Sequence, residues 1–168
     1  EAKLIIAPRE LLRTTEVAAL CRHKGFSVAR RTELLKEPSE GHDIVILDTI
    51  GELGRVYSIG DLIFVGGSLV RVGGHNILEP AAHGKPIVVG PNMFNFVEIF
   101  ELLSSRGACV MVRNEDEFVQ TCLDILTDPA RAEHMHENCL AVVAENQGAT
   151  KRNLDELKKL LDRLHLWG

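Results

Sequence analysis

Short, continuously apolar runs separated by helical patterns predict an α/β protein, built on a doubly wound, Rossmann-like parallel sheet with a helical C-terminal tail. Three observations carry this expectation. The runs are apolar throughout instead of alternating, as strands covered on both faces are. Stretches of helical period lie between them, and Gly25, Gly84 and Gly107 each follow one, where a helix ends most easily on glycine. After Thr127 the strand-like runs stop.

In order, the expected strands are Leu4–Ala7, Phe26–Ala29, Asp43–Leu47, Leu62–Val65, Pro86–Val89 and Ala108–Val112. The expected helices between them are Thr14–His23, Glu52–Ser58, Asn76–His83, Val97–Ser105 and Asp116–Leu126. Asp128-Pro129 opens a long helical region to about Glu145, and Gln147-Gly148 breaks it. The last stretch, Ala149–Leu166, places Leu154, Leu157, Leu160, Leu161 and Leu164 on one face with Lys151, Lys158, Lys159 and Arg163 interspersed. That face either packs on the same domain, returns to a further domain, or touches a membrane surface, and Trp167 fits each. No internal repeat or low-complexity segment is present.

The chain has 168 residues, 45% hydrophobic and 26% charged, which predicts one domain with a real core, residues 1–168 with the tail at about 128–168. This excludes a disordered tail, a collagen and a coiled coil, and no apolar run approaches the ~18 residues of a membrane span. The first residues do not form a signal peptide; without Met, they lead straight into a strand, as in a piece of a longer protein. A net charge of -5 argues against a nucleic-acid partner, which wants a basic surface or stripe. Cys21, Cys109, Cys122 and Cys139 match no zinc spacing and read as small core residues in a reducing compartment. His134 and His136 are two apart on a helix and diverge, so no metal is expected.

In an open parallel sheet, ligands bind beyond the carboxyl ends of the strands. After the fourth strand comes Gly66-Gly67-Ser68-Leu69-Val70-Arg71-Val72-Gly73-Gly74-His75-Asn76, then a helix beginning Ile77-Leu78-Glu79. Paired glycines let backbone N–H groups approach an anion, and a helix N-terminus faces the same place, so a phosphate is the natural occupant. The loop is neither a GxGxxG fingerprint nor a Walker A loop. Glu79 would repel a phosphate, but it suits a neighbouring ribose diol; otherwise it complements the helix dipole. Arg9, after the first strand, can meet a phosphate or carboxylate bidentately. Gly51, after the third, leaves main chain open to a flat nucleobase, and Glu52 is either an acid facing the ligand or an N-terminal helix charge. The loop Gly90-Pro91-Asn92-Met93-Phe94-Asn95-Phe96 either closes over a sugar or caps a helix.

The run Phe64–Ile99, FVGGSLVRVGGHNILEPAAHGKPIVVGPNMFNFVEI, closely resembles the C-terminal half of bacterial 3-deoxy-D-manno-octulosonic acid (Kdo) transferases. Ala7-Pro8-Arg9, Asp48-Thr49-Ile50-Gly51-Glu52-Leu53 and Tyr57 to Asp61 are similar to the same family, in the same order. The resemblance implies one half of a two-Rossmann-domain glycosyltransferase of Gram-negative bacteria. This half would bind the donor CMP-Kdo. An absent N-terminal domain would bring the lipid A precursor as acceptor, the inner-membrane contact on the cytoplasmic face, and the catalytic base. The fragment itself would be soluble, with no catalytic residue and no cofactor, CMP-Kdo being a substrate.

Carried over by the resemblance, the CMP contacts fall at Pro8, Arg9, Ile50, Gly51, Glu52, Asn76, Ile77, Leu78 and Glu79. Ser68, Gly74 and Asn95, in the two loops, complete the expected donor-binding set. Inverting transfer without a divalent metal is the implied reaction. The chain departs from the family at Glu10, where His is frequent, and at Arg71, where Pro is frequent. Two other functions suit the same scaffold: a nucleotide-binding regulatory module and a nucleotide-sugar epimerase-type enzyme.

Overall fold

Runs rich in Ile and Val suit a pleated surface covered on both sides, and they fold here as parallel strands. The computed structural model describes residues 2–147 and 149–163. Its strands are β1 Leu4–Ile6, β2 Val28–Arg30, β3 Ile44–Ile46, β4 Ile63–Val65, β5 Ile87–Val89 and β6 Cys109–Met111. Its helices are α1 Thr14–His23, α2 Arg31–Lys36, α3 Leu53–Ile59, α4 Leu78–Ala82, α5 Val97–Ser105, α6 Glu115–Thr127, α7 Pro129–Asn146 and α8 Ala149–Arg163. Two compact units divide within α3, at Glu1–Val56 and Tyr57–Gly168.

In the first unit the parallel strands lie in the order β1-β3-β2, with Leu4 and Val28 both opposite Ile44. Ala18 of α1 packs with Val28, Ile44 and Ile46 to form the core. The sequence predicts a strand from Phe26, but β2 begins at Val28. Phe26 is half exposed, and the Ser27 N–H and hydroxyl both donate to the Asp43 carboxylate, at 2.8 and 2.7 Å. That side-chain bracket holds the residue before the ladder starts. The helix α2 was not expected. Its Glu33 reaches back to accept the Arg30 N–H at 2.9 Å, and Pro38 follows its end.

In the second unit the order is β4-β5-β6, with Ile87 opposite both Ile63 and Cys109. Ile87 and Val89 join one cluster with Leu103 of α5 and Cys139 and Val142 of α7, while Val88 joins another with Val112, Ile125 and Met135. Alternate residues of β5 thus point into different clusters, and none is exposed. Phe64 and Phe118 meet edge-on with ring centroids 4.7 Å apart. Asn114 caps α6 by accepting from the Glu117 N–H at 2.9 Å. Asp128 caps α7 by accepting from Ala130 and Arg131, each at 3.1 Å, with Pro129 in the first turn.

The leucine face of α8 does not pack as a buried stripe. Leu154, Leu157 and Leu160 are 48%, 49% and 52% exposed, so packing on this domain does not hold for them. Leu164, Leu166 and Trp167 lie outside the described residues. Among the described residues, no helix is long and apolar enough to cross a membrane. The four cysteines are free, with Cys109 and Cys139 buried and Cys21 and Cys122 half-buried.

Candidate functional site

The loop leaving β4 turns back on itself. The Gly74 N–H donates to the Gly67 carbonyl at 3.1 Å, and Gly73 and Gly74 hold φ of 101° and 74°. A side chain at either would be strained by that backbone and would also collide. A Cβ on Gly73 would stand 2.1 Å from the Asn95 amide nitrogen, and one on Gly74 2.3 Å from the Met93 sulfur. The glycines therefore let this loop press against the loop after β5. Asn95 completes the seam, its backbone N–H donating to Gly73 O at 3.3 Å and its side-chain amide to Val72 O at 3.4 Å.

Ser68 lies beneath the seam and is fully buried. Its hydroxyl donates to the Val65 carbonyl and accepts from the Gly90 N–H at 2.7 Å. Asn92 grips the Ser68 carbonyl twice, from its backbone N–H at 2.9 Å and its side-chain amide at 3.1 Å. Ser68 thus supports the loop from below, with its hydroxyl engaged on both sides. Gly90 and Asn92 are parts of this support that sequence reasoning did not single out. The signal present was a glycine directly after a strand, beside an asparagine.

The next residues carry the polar groups outward. The helix expected over Asn76–His83 is only Leu78–Ala82, because Asn76 and Ile77 close a turn ahead of it. Asn76 accepts from the Leu78 N–H at 3.0 Å and donates to Glu79 Oε1 at 3.3 Å. So short a helix carries little dipole, which weakens the anion-attracting role expected of its start. Ile77 is fully buried and presents no side chain to a ligand. Leu78 is half-buried and Glu79 exposed. Burial pushes the Tyr57 phenol up from its ordinary range, and the Glu79 charge pushes it further, so the two groups are in electrostatic reach.

In the first unit, Pro8 and Arg9 follow β1, with Pro8 half-buried and Arg9 exposed. Ile50 is 87% exposed and Gly51 takes φ of 87°. Glu52 has specific partners. Arg31 of the unexpected α2 donates to it at 3.0 to 3.3 Å through Nε and Nη2, and the Thr49 hydroxyl donates to it as well. These hydrogen bonds, Arg31 first, hold the Glu52 carboxyl below its usual range. Glu52 is therefore an anion oriented by Arg31, a partner twenty-one residues away that local spacing does not reveal. Among the described residues, no group of three or more His, Cys, Asp and Glu side chains could hold a metal ion.

No protein-family model matches the chain. Its fold superposes on the crystal structure of the C-terminal CMP-Kdo binding domain of WaaA from Acinetobacter baumannii with a TM-score of 0.76 and 31% identity, over 83% of this chain and 72% of that one. The chain belongs to the Kdo transferase family. The Kdo transferase of Bordetella pertussis is 35% identical over 94% of this chain, and that of Haemophilus influenzae 37% identical over 95%. The chain spans 37% and 38% of the length of these two curated relatives. The Rossmann-like α/β expectation holds for this family member, with parallel sheets, flanking helices and the helical tail in place.

Proposed function

We propose that this chain is the donor-binding part of a Kdo transferase and binds CMP-Kdo beyond the carboxyl end of β4. The observation that carries the reading is the loop Gly66–Gly74, folded back on itself, pinned to the loop after β5, and followed at once by Asn76 and Glu79. The likeness to a CMP-Kdo binding domain supports it.

On this reading the donor phosphate lies against the loop amides and Asn76, which stabilise the charge that grows as its bond to the sugar breaks. Glu79 accepts from the ribose hydroxyls. Leu78 and Ile77 contribute main chain, while Gly74, Asn95 and the buried Ser68 keep the loop in place. In the first unit, Pro8, Arg9, Ile50, Gly51 and Glu52 are proposed as further contacts to the nucleotide, Arg9 as a cation for the phosphate. Transfer proceeds with inversion and without a divalent metal. A lipid A precursor is the acceptor, at the cytoplasmic face of the inner membrane, and the base that deprotonates its hydroxyl lies outside this chain.

Calorimetry with CMP, UMP and UDP-sugars tests the reading. CMP should bind best, and crystals soaked in CMP should show density between the β4–α4 loop and Glu79. Preference for UDP compounds, or density elsewhere, would overturn it.

A further inference from the structure

We propose that Arg71 strengthens donor binding in this chain by pairing with the acid function of the donor's sugar. The inference rests on the donor reading above and begins with charge. A sugar acid esterified to a nucleoside monophosphate carries two negative charges, one on the phosphodiester and one on the carboxylate. The chain it must approach has a net charge of -5. Such a ligand needs a local cation.

Two arginines stand just beyond the carboxyl ends of β4, β5 and β6, Arg71 and Arg113. Arg113 is committed to Glu117, with the guanidinium 3.7 Å from one carboxylate oxygen and the backbone N–H donating to the other at 2.8 Å. Arg71 has no hydrogen bond or ion pair among the described residues and is exposed. Its backbone, by contrast, is held. The Val72 N–H donates to Val70 O at 2.7 Å, Val72 O accepts from the Asn95 amide, and Gly73 O accepts from the Asn95 N–H.

A cation is thus presented on a braced loop between Val70 and Val72, which are 60% and 56% exposed and offer it no polar partner. The loop amides and Asn76 serve the phosphate, which leaves the sugar carboxylate for Arg71. A guanidinium meets a carboxylate with two parallel hydrogen bonds, a geometry that an ammonium cannot copy.

The test titrates the chain with CMP and with freshly prepared CMP-Kdo, comparing wild type, Arg71→Ala and Arg71→Lys. CMP should bind all three within about twofold, which also shows that the variants are folded. Arg71→Ala should lose about tenfold or more in CMP-Kdo affinity, and Arg71→Lys should keep part of it. Equal losses for CMP and CMP-Kdo, or no loss for either, would overturn the assignment while leaving the donor reading intact. If wild type fails to bind CMP, the donor reading falls and this inference with it.

Discussion

The Gly90 amide donates to the Ser68 hydroxyl across 2.7 Å, at a place where a Cβ on Gly90 would stand 2.4 Å from the Ser68 carbonyl carbon. The loops that follow β4 and β5 are thereby joined through one buried hydroxyl, with no room for a side chain between them. Ser68→Ala would strand the Gly90 N–H and should cost about 1–3 kcal/mol of stability. Gly90→Ala must push backbone apart and should cost at least as much. Urea unfolding of both variants checks this, and a Ser68→Ala midpoint equal to wild type would show that the hydroxyl is dispensable.

Glu79 offers a binding readout and a spectroscopic one. Glu79→Ala should weaken CMP binding by about 1–3 kcal/mol through lost charged hydrogen bonds. The chain has one tyrosine, so an ultraviolet titration follows Tyr57 alone. Because the Glu79 charge helps hold that phenol above its ordinary value, Glu79→Gln should lower it. An unmoved phenol would mean that the carboxylate is not where the structure places it.

Acid should loosen the first unit through Asp48. Burial opposes its charge, but the Thr32 hydroxyl at 2.6 Å and N–H at 2.9 Å outweigh it, leaving the carboxyl below its ordinary 3.8. A carboxyl depressed on folding contributes stability above its unfolded value, and that contribution is lost as pH falls through the lower folded one. Asp48→Asn should therefore be less stable than wild type at neutral pH, and the gap should narrow below pH 3.8. A gap of constant size would contradict the assignment.

The buried thiols should be silent. Burial pushes Cys109 up to about 12, with Cys139 nearby adding to it, and burial pushes Cys139 up to about 11. Thiolate is the reactive form, so an aromatic disulfide reagent at neutral pH should spare both until urea unfolds the chain. Half-buried Cys21 and Cys122 should react first. Peptide mapping after timed labelling distinguishes the four.

Legibility differed from element to element. The all-apolar run at Ile87–Val89 announced a strand covered on both faces, and each of its residues is fully buried. The Asp128-Pro129 signal announced α7 because a cap is a local event. Helix α2 escaped because its Arg31–Lys36 stretch is a single short segment whose start is fixed by Glu33 reaching back to Arg30. The candidate site divided in the same way. Its glycines and Glu79 stood out as residue types at strand ends. The support that Ser68 draws from Gly90 and Asn92, and the partnership of Glu52 with Arg31, join residues distant in the chain and leave no local period to read.

Five residues cannot keep a helix by themselves, so α4 persists because Ile77, Pro80 and Ala81 are sunk in the interior while Glu79 is left outside. On the proposed donor reading, the backbone that carries Glu79 is set before a nucleotide arrives, and binding is spared the entropy of ordering it. A substitution that unfolds residues 57–147 should therefore abolish nucleotide binding as well.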